Sequence, residues 1–157
     1  MMPSVYLETS VISYLSARPS RDLIIAGHQQ ITNEWWETQG HKFEIYISQL
    51  VIQEARRGDA KAAQERLTLL QPIAALRVSS AALQLAQILL REAAIPQKAE
   101  ADSLHIAISV VNGIDYLLTW NCQHIANAII RKKVEQICRQ NGYEPSVICT
   151  PEELIEE

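Results

Sequence analysis

The sequence predicts an α/β fold, a single-domain three-layer α/β/α sandwich with a mainly parallel central sheet. Short apolar runs alternate along the chain with longer segments whose apolar residues recur at helical spacing, and this alternation is typical of parallel sheets. The 157 residues are 48% hydrophobic and 20% charged, which suits one domain with a buried core over residues 1–157. Three widely spaced cysteines exclude a disulfide framework and a paired-cysteine zinc site.

The first half of the chain contains two predicted strands and four predicted helices. The first strand (SVYLE) runs into a short helix that must end before Pro19. Ser48 is placed to cap a helix directly after the second strand, and Gly58 ends that helix. In chain order the predicted elements are a strand at 4–8, helices at 9–17 and 20–38, a strand at 44–48, and helices at 49–57 and 60–71.

The second half continues the same alternation. Ser79 or Ser80 caps one helix, and Gly113 follows the end of a strongly amphipathic one. Thr150, Pro151 and Glu153 form the start signal of a short terminal helix, within an acidic tail at 152–157. The predicted strands are 75–78, 115–119 and 147–149, and the predicted helices run to 94, from 98 to 112 and from about 124 to 140.

Polar residues follow the predicted strands at the edge where α/β proteins bind ligands. Glu8 ends the first strand, and Glu54 lies on the helix after the second. Asp102 lies early in the helix before the fourth strand, and that strand is followed by Thr119 and Asn121. Carboxylates gathered in one cleft raise each other's pKa values unless a cation neutralises them, and Mg²⁺ prefers such oxygen ligands. The pattern therefore predicts hydrolysis of phosphate esters with Mg²⁺ or Mn²⁺.

Four blocks of the sequence carry a family resemblance, namely YLETSVISYL, SQLVIQEARRG, EADSLHIAIS and LLTWNCQHIAN. They resemble, in order, the conserved blocks of PIN domains, and their spacing is similar to that of VapC-type toxins from bacterial toxin–antitoxin pairs. The resemblance implies a metal-dependent endoribonuclease that leaves 5′-phosphate and 3′-hydroxyl ends. It also implies a homodimer with RNA as substrate and a small antitoxin protein as partner. The three cysteines, interpreted as small buried thiols, favour the reducing cytoplasm.

The resemblance implies four catalytic residues, of which three hold the metal. Glu8, Glu54 and Asp102 match the family's acidic metal ligands, and Asn121 matches the position of a fourth acid. Two of these residues depart from the family pattern. Glu8 is one methylene longer than the usual Asp, and the neutral Asn121 replaces another Asp, which weakens the case for a second metal.

Further residues near the blocks are candidates for lesser roles. They are the supporting hydroxyls of Thr9, Ser10 and Thr119, and the substrate-binding candidates Arg56, Arg57, Trp120 and His124. Two neighbouring residues are given structural interpretations. His105 shares a helix side with Asp102 and is interpreted as a structural histidine, and Trp35 is interpreted as core.

The charge balance is compatible with a nucleic-acid substrate despite a net charge of −4. Seven of the 18 acidic residues belong to the candidate site or the C-terminal tail, which leaves 11 acidic residues against 14 basic ones. Two alternatives stay open: a stand-alone PIN nuclease without an antitoxin, and a degenerate PIN fold that binds RNA or protein. No apolar stretch of about 18 residues predicts a membrane span, and the N-terminus lacks the basic flank of a secretory signal.

Overall fold

A computed structural model describes residues 1–93 and 95–156, which contain one five-stranded parallel sheet. Its order is β3-β2-β1-β4-β5. Tyr6 of the central strand pairs with Tyr46 on one side and with Leu117 on the other. The strands are β1 (Ser4–Leu7), β2 (Glu44–Ser48), β3 (Ala74–Leu76), β4 (Tyr116–Leu118) and β5 (Val147–Cys149).

Seven helices among the described residues cover the two faces of this sheet. They are α1 (Thr9–Ser16), α2 (Leu23–Thr38), α3 (Gln49–Ala55), α4 (Ala60–Leu70), α5 (Ser80–Glu92), α6 (Glu100–Val111) and α7 (Ala128–Gln140). Helix α1 packs against α2, α3 and α4, whereas α5 packs against α6 and α7. The first group of helices connects strands toward the β3 edge of the sheet, and the second group connects strands toward the β5 edge. Right-handed crossovers that run in opposite directions place their helices on opposite faces. The predicted α/β/α sandwich is thereby confirmed.

The change of winding direction locates a crevice at the carboxyl ends of β1 and β4. From β1 the chain crosses to β2, and from β4 it crosses to β5, so the two connections lead away from each other. Open α/β sheets bind ligands at such switch points.

Side-chain caps explain where several elements begin, and they correct two predicted boundaries. The first strand ends at Leu7 instead of Glu8, because Glu8 caps α1 by accepting from the backbone N–H of Ser10. The helix predicted from His124 begins at Ala128, because Asn127 caps it and residues 122–125 form turns before it. The predicted Ser48 cap of α3 is confirmed, with Oγ accepting from Val51 N at 3.2 Å.

Smaller differences have equally local causes. Helix α2 starts after Asp22, which accepts two backbone hydrogen bonds, instead of at Ser20. A 3₁₀ turn at Gln97–Ala99 precedes α6, and the terminal helix is a 3₁₀ turn at Pro151–Leu154 with the predicted capping box. The third strand lies at Ala74–Leu76 instead of 75–78. Ala94 and Glu157, the ends of the predicted fifth helix and of the acidic tail, lie outside the described residues.

The core lies between the sheet and the helices of both faces. Trp35 is fully buried, as predicted, and so are Leu117 and Leu118 of β4. Among the described residues, no helix is both long and apolar enough to cross a membrane.

Candidate metal centre

Glu8 is a buried carboxylate that three hydrogen bonds from Ser10 and Thr119 hold in place. It follows β1 directly and is only 6% exposed. Its Oε1 accepts from Ser10 Oγ at 2.5 Å and from Thr119 Oγ1 at 2.6 Å, while Oε2 accepts from Ser10 N at 3.2 Å. A buried carboxylate is costly unless it is hydrogen-bonded. The hydroxyls of Ser10 in α1 and of Thr119 after β4 therefore fix the orientation of Glu8.

Glu54 reaches the same crevice from α3. Its Oε1 accepts from Thr9 Oγ1 at 2.5 Å and from His105 Nε2 at 2.7 Å. Burial acts to raise the pKa of the Glu54 carboxyl, but the hydrogen bond and charge of His105, together with Thr9 and Arg57, lower it overall. Glu54 is therefore held as a carboxylate.

His105 lies beneath this carboxylate with no exposed surface. Its Nδ1 lies 2.7 Å from the Tyr6 hydroxyl, which in turn lies 2.8 Å from Ser48 Oγ. Burial acts to lower the pKa of His105, but the hydrogen bond to Glu54 and the negative charges of the surrounding acids raise it overall. Burial also raises the pKa of Tyr6. His105 is buried with both ring nitrogens hydrogen-bonded, as a structural histidine would be, and one of its two partners is the candidate ligand Glu54.

Glu8, Glu54 and His105 form a compact group whose ligand atoms all lie within 4.8 Å of one another. An ionised carboxylate only accepts hydrogen bonds, so His105 Nε2 carries a hydrogen where it meets Glu54. The two carboxylates are thus the ligands that this group offers to a cation. Oxygen ligands of this kind fit a hard cation such as Mg²⁺ or Mn²⁺.

Asp102 lies outside this compact group, near the start of α6. Its Oδ2 lies 3.1 Å from His124 Nδ1, and the two side chains are 20% and 16% exposed. The charge of Asp102 nevertheless contributes to the raised pKa of His105, one turn further along the helix. The structure therefore brings Glu8 and Glu54 together with His105, and it pairs Asp102 with His124 outside this group.

Asn121 uses its side chain to shape the turn after β4. Its Oδ1 accepts from the backbone N–H groups of Gln123 and His124 at 3.3 and 3.0 Å. Its own N–H donates to Thr119 Oγ1 at 2.9 Å. Asn121 thus holds the turn that carries His124 toward Asp102, which is the turn-forming role that a sequence alone assigns to many Asn residues.

Trp120 is tied to the carboxylate site through Ser10. Its backbone N–H donates to Ser10 Oγ at 2.9 Å, and Ser10 donates to Glu8. Its indole ring stacks on His28 with centroids 4.0 Å apart and planes 11° apart, and Nε1–H donates to Thr32 Oγ1 at 2.7 Å. Tyr14 lies 6.3 Å from the same ring. His28 lies on α2 outside any recognisable motif, so no sequence pattern indicates its contact with Trp120.

Arg56 and Arg57 are exposed at the end of α3, directly after Glu54 and Ala55. The backbone there is held by Arg66, whose guanidinium donates to the carbonyls of Ala55 and Arg57 at 3.1 and 2.6 Å. The two arginines therefore lie on a turn that Arg66 holds, and the charge of Arg57 helps to lower the pKa of Glu54.

Solved structures of two toxin–antitoxin proteins are similar to this chain. VapC20 of Mycobacterium tuberculosis, described as a toxin that cleaves the sarcin-ricin loop, aligns with a TM-score of 0.61 at 15% identity, over 77% of this chain and 92% of that one. VapBC2 from Rickettsia felis, bound to a DNA fragment of its promoter, aligns with a TM-score of 0.57 at 13% identity, over 93% and 97%. No protein-family model and no curated protein matches the chain. At these identities the likeness shows the fold, which is a VapC-like PIN-domain fold.

Proposed function

We propose that this chain is a Mg²⁺- or Mn²⁺-dependent endoribonuclease and the toxin of a VapBC-type pair. The observation that carries the proposal is the meeting of Glu8 and Glu54 at the switch point of the sheet, within the 4.8 Å group that includes His105. Two carboxylates this close repel each other, and Glu8 is only 6% exposed to solvent, so a bound cation would stabilise both charges. The shared fold of VapC20, a toxin described as cleaving RNA of the sarcin-ricin loop, supports the same reaction class.

The proposed reaction assigns a role to each candidate residue. Glu8 and Glu54 would hold the cation, and Asp102 would complete its protein ligands. A bound cation would polarise a phosphoryl oxygen and would lower the pKa of a water molecule. Thr9, Ser10 and Thr119 keep the carboxylates in position through their hydroxyl hydrogen bonds, and no protein nucleophile is needed. Asn121 holds the turn beside Asp102.

Substrate contacts are proposed around this centre. Trp120, stacked on His28, is placed for contact with an unpaired base, because aromatic faces bind bases without sequence preference. The guanidinium groups of Arg56 and Arg57 would contact phosphates. His124 would contact RNA while paired with Asp102.

The partners follow from the same proposal. A small antitoxin would block the acidic crevice, and the protein would act in the cytoplasm as a homodimer. The VapBC2 complex from Rickettsia felis supports the pairing. Growth arrest on expression alone, relieved by a co-purifying small protein, would favour a toxin over a stand-alone nuclease.

Digestion of total RNA by the purified chain tests the activity directly. The matched variants are Asp102→Asn and, as control, Glu100→Gln, which changes an exposed acid on the same helix turn. We expect discrete fragments with Mn²⁺ or Mg²⁺ from wild type and Glu100→Gln, and none with EDTA or from Asp102→Asn. Cleavage in EDTA, or full activity of folded Asp102→Asn, would contradict the proposal. A folded wild type that neither cleaves RNA nor binds Mn²⁺ would favour the degenerate binding module.

A further inference from the structure

A buried chain of polar side chains runs beneath Glu54. Ser48 at the end of β2 contacts the Tyr6 hydroxyl at 2.8 Å, Tyr6 contacts His105 Nδ1 at 2.7 Å, and His105 Nε2 contacts Glu54 Oε1 at 2.7 Å. Ser48, Tyr6 and His105 have no exposed surface. Burial of polar groups is costly unless each finds a partner, and every member of this chain has one. We call Ser48, Tyr6 and His105 the relay.

The relay occupies one specific oxygen of Glu54. Oε1 accepts two hydrogen bonds, one from His105 and one from Thr9, which fill the two lone-pair positions of that atom. Among the described residues no side chain or backbone group donates to Oε2. The carboxylate is therefore held with Oε1 turned toward the relay.

Glu8 shows the same asymmetry. Its Oε1 accepts from Ser10 Oγ and Thr119 Oγ1, while Oε2 accepts only the longer 3.2 Å bond from the Ser10 backbone. Both carboxylates are thus held by their Oε1 atoms. A carboxylate presented through one oxygen suits Mg²⁺ or Mn²⁺ better than Ca²⁺, which commonly takes both oxygens of a carboxylate.

We propose that the Ser48–Tyr6–His105 relay positions Glu54 so that it presents Oε2 alone to the divalent cation. This inference rests on the proposed function for its ligand. His105 is the positioning residue that contacts Glu54, and Tyr6 acts only through His105, since Tyr6 makes no hydrogen bond to Glu54. Groups that hydrogen-bond a metal ligand typically change metal affinity by about 10- to 100-fold when they are removed.

Mn²⁺ titration of the full chain by calorimetry tests the relay through a double-mutant cycle. We expect His105→Leu to weaken Mn²⁺ binding by about 10- to 100-fold. Tyr6→Phe should weaken it by less in the wild-type background and leave it unchanged in the His105→Leu background. His105→Gln, which keeps a donor toward Glu54, should recover most of the lost affinity.

A matched control separates positioning from general loss of stability. Ser109 lies one turn beyond His105 on the same helix and is equally buried. Its Oγ forms a 2.8 Å hydrogen bond with Ser146 Oγ and has no contact with the site carboxylates. Ser109→Ala should lower stability and leave the Mn²⁺ affinity unchanged. Far-UV circular dichroism of each variant checks folding, and the isosteric Tyr6→Phe serves if His105→Leu does not fold.

The outcomes distinguish this inference from the proposed function. If folded His105→Leu binds Mn²⁺ with wild-type affinity, the positioning role of the relay is overturned. If His105→Leu does not fold, wild-type Mn²⁺ affinity of Tyr6→Phe has the same consequence. An equal cost of Tyr6→Phe in both backgrounds would do the same. Such results alongside metal-dependent RNA cleavage by wild type would leave the proposed function standing. Mn²⁺ binding with the expected cycle but no cleavage of any RNA would instead overturn the function and support the relay.

Discussion

Replacing Glu54 by Gln removes one charge from the buried network and keeps the length of the side chain. In the native protein Glu54 Oε1 accepts from Thr9 Oγ1 at 2.5 Å and from His105 Nε2 at 2.7 Å. The amide oxygen of Gln can still accept both hydrogen bonds. The variant therefore isolates the contribution of the charge.

The structure sets the size of the expected loss. The Glu54 and His105 side chains are 18% and 1% exposed, so the pair is little screened by solvent. Hydrogen bonds to charged groups contribute about 1.5–3 kcal/mol, and breaking a buried ion pair costs about 3–5 kcal/mol. Because the amide keeps the geometry, we expect a loss in free energy of unfolding of about 2 kcal/mol, near the lower figure.

The loss should depend on pH in a defined window. The pKa of Glu54 is lowered from 4.5, so its contribution is complete above pH 4.5 and disappears as the pH falls through its folded value. The pKa of His105 is raised from 6.5, so its contribution is complete below pH 6.5 and disappears as the pH rises through its folded value. Both contributions are complete only between about pH 4.5 and 6.5.

Urea unfolding in EDTA, followed by tryptophan fluorescence, measures this window. The difference between wild type and Glu54→Gln should be largest near pH 5.5 and smaller at pH 3.5 and pH 9. Glu100→Gln, in an exposed acid, should show no such window. A difference that is the same at every pH would refute the ionic account of the pair.

Two further predictions concern buried groups around the site. Thr119→Val removes the fully buried hydroxyl that donates to Glu8 and accepts from Asn121, so it should lower the free energy of unfolding by about 1–3 kcal/mol and reduce RNA cleavage. Urea unfolding and the RNA assay check this, and a variant with wild-type values in both would contradict the role given to Thr119. Burial raises the pKa of the Cys138 thiol to about 11 and that of Cys149 to about 12, whereas Cys122 is exposed. A thiol reagent at pH 8 should therefore label one cysteine per native chain and three in urea, and rapid labelling of a second native thiol would contradict the structure.

Local signals in the sequence predicted most of the fold. The strands Glu44–Ser48 and Val147–Cys149 have the predicted bounds, and Ser48 caps α3 as expected. Such elements depend on short apolar runs and on caps formed by neighbouring residues. The predicted start of α7 near His124 was wrong because residues 122–125 form turns and Asn127 caps the helix that follows.

The site was harder to predict because its contacts join distant parts of the chain. The approach of Glu8 to Glu54 follows from the strand order, and the sequence pattern anticipated it at the strand ends. The role of His105 depends on Tyr6, 99 residues away, and on Glu54, 51 residues away, and no local pattern encodes those contacts. Its position three residues after Asp102, on the same side of α6, was the signal that could have indicated it.

The central claim is a divalent cation at the meeting point of Glu8 and Glu54, and crystals soaked in Mn²⁺ test it most directly. We expect an anomalous difference peak within coordinating distance of both carboxylates, with Glu54 bound through Oε2. The peak should be absent from soaked crystals of Glu54→Gln. A soaked crystal with no peak between Glu8 and Glu54, or with Mn²⁺ bound only elsewhere on the chain, would contradict it.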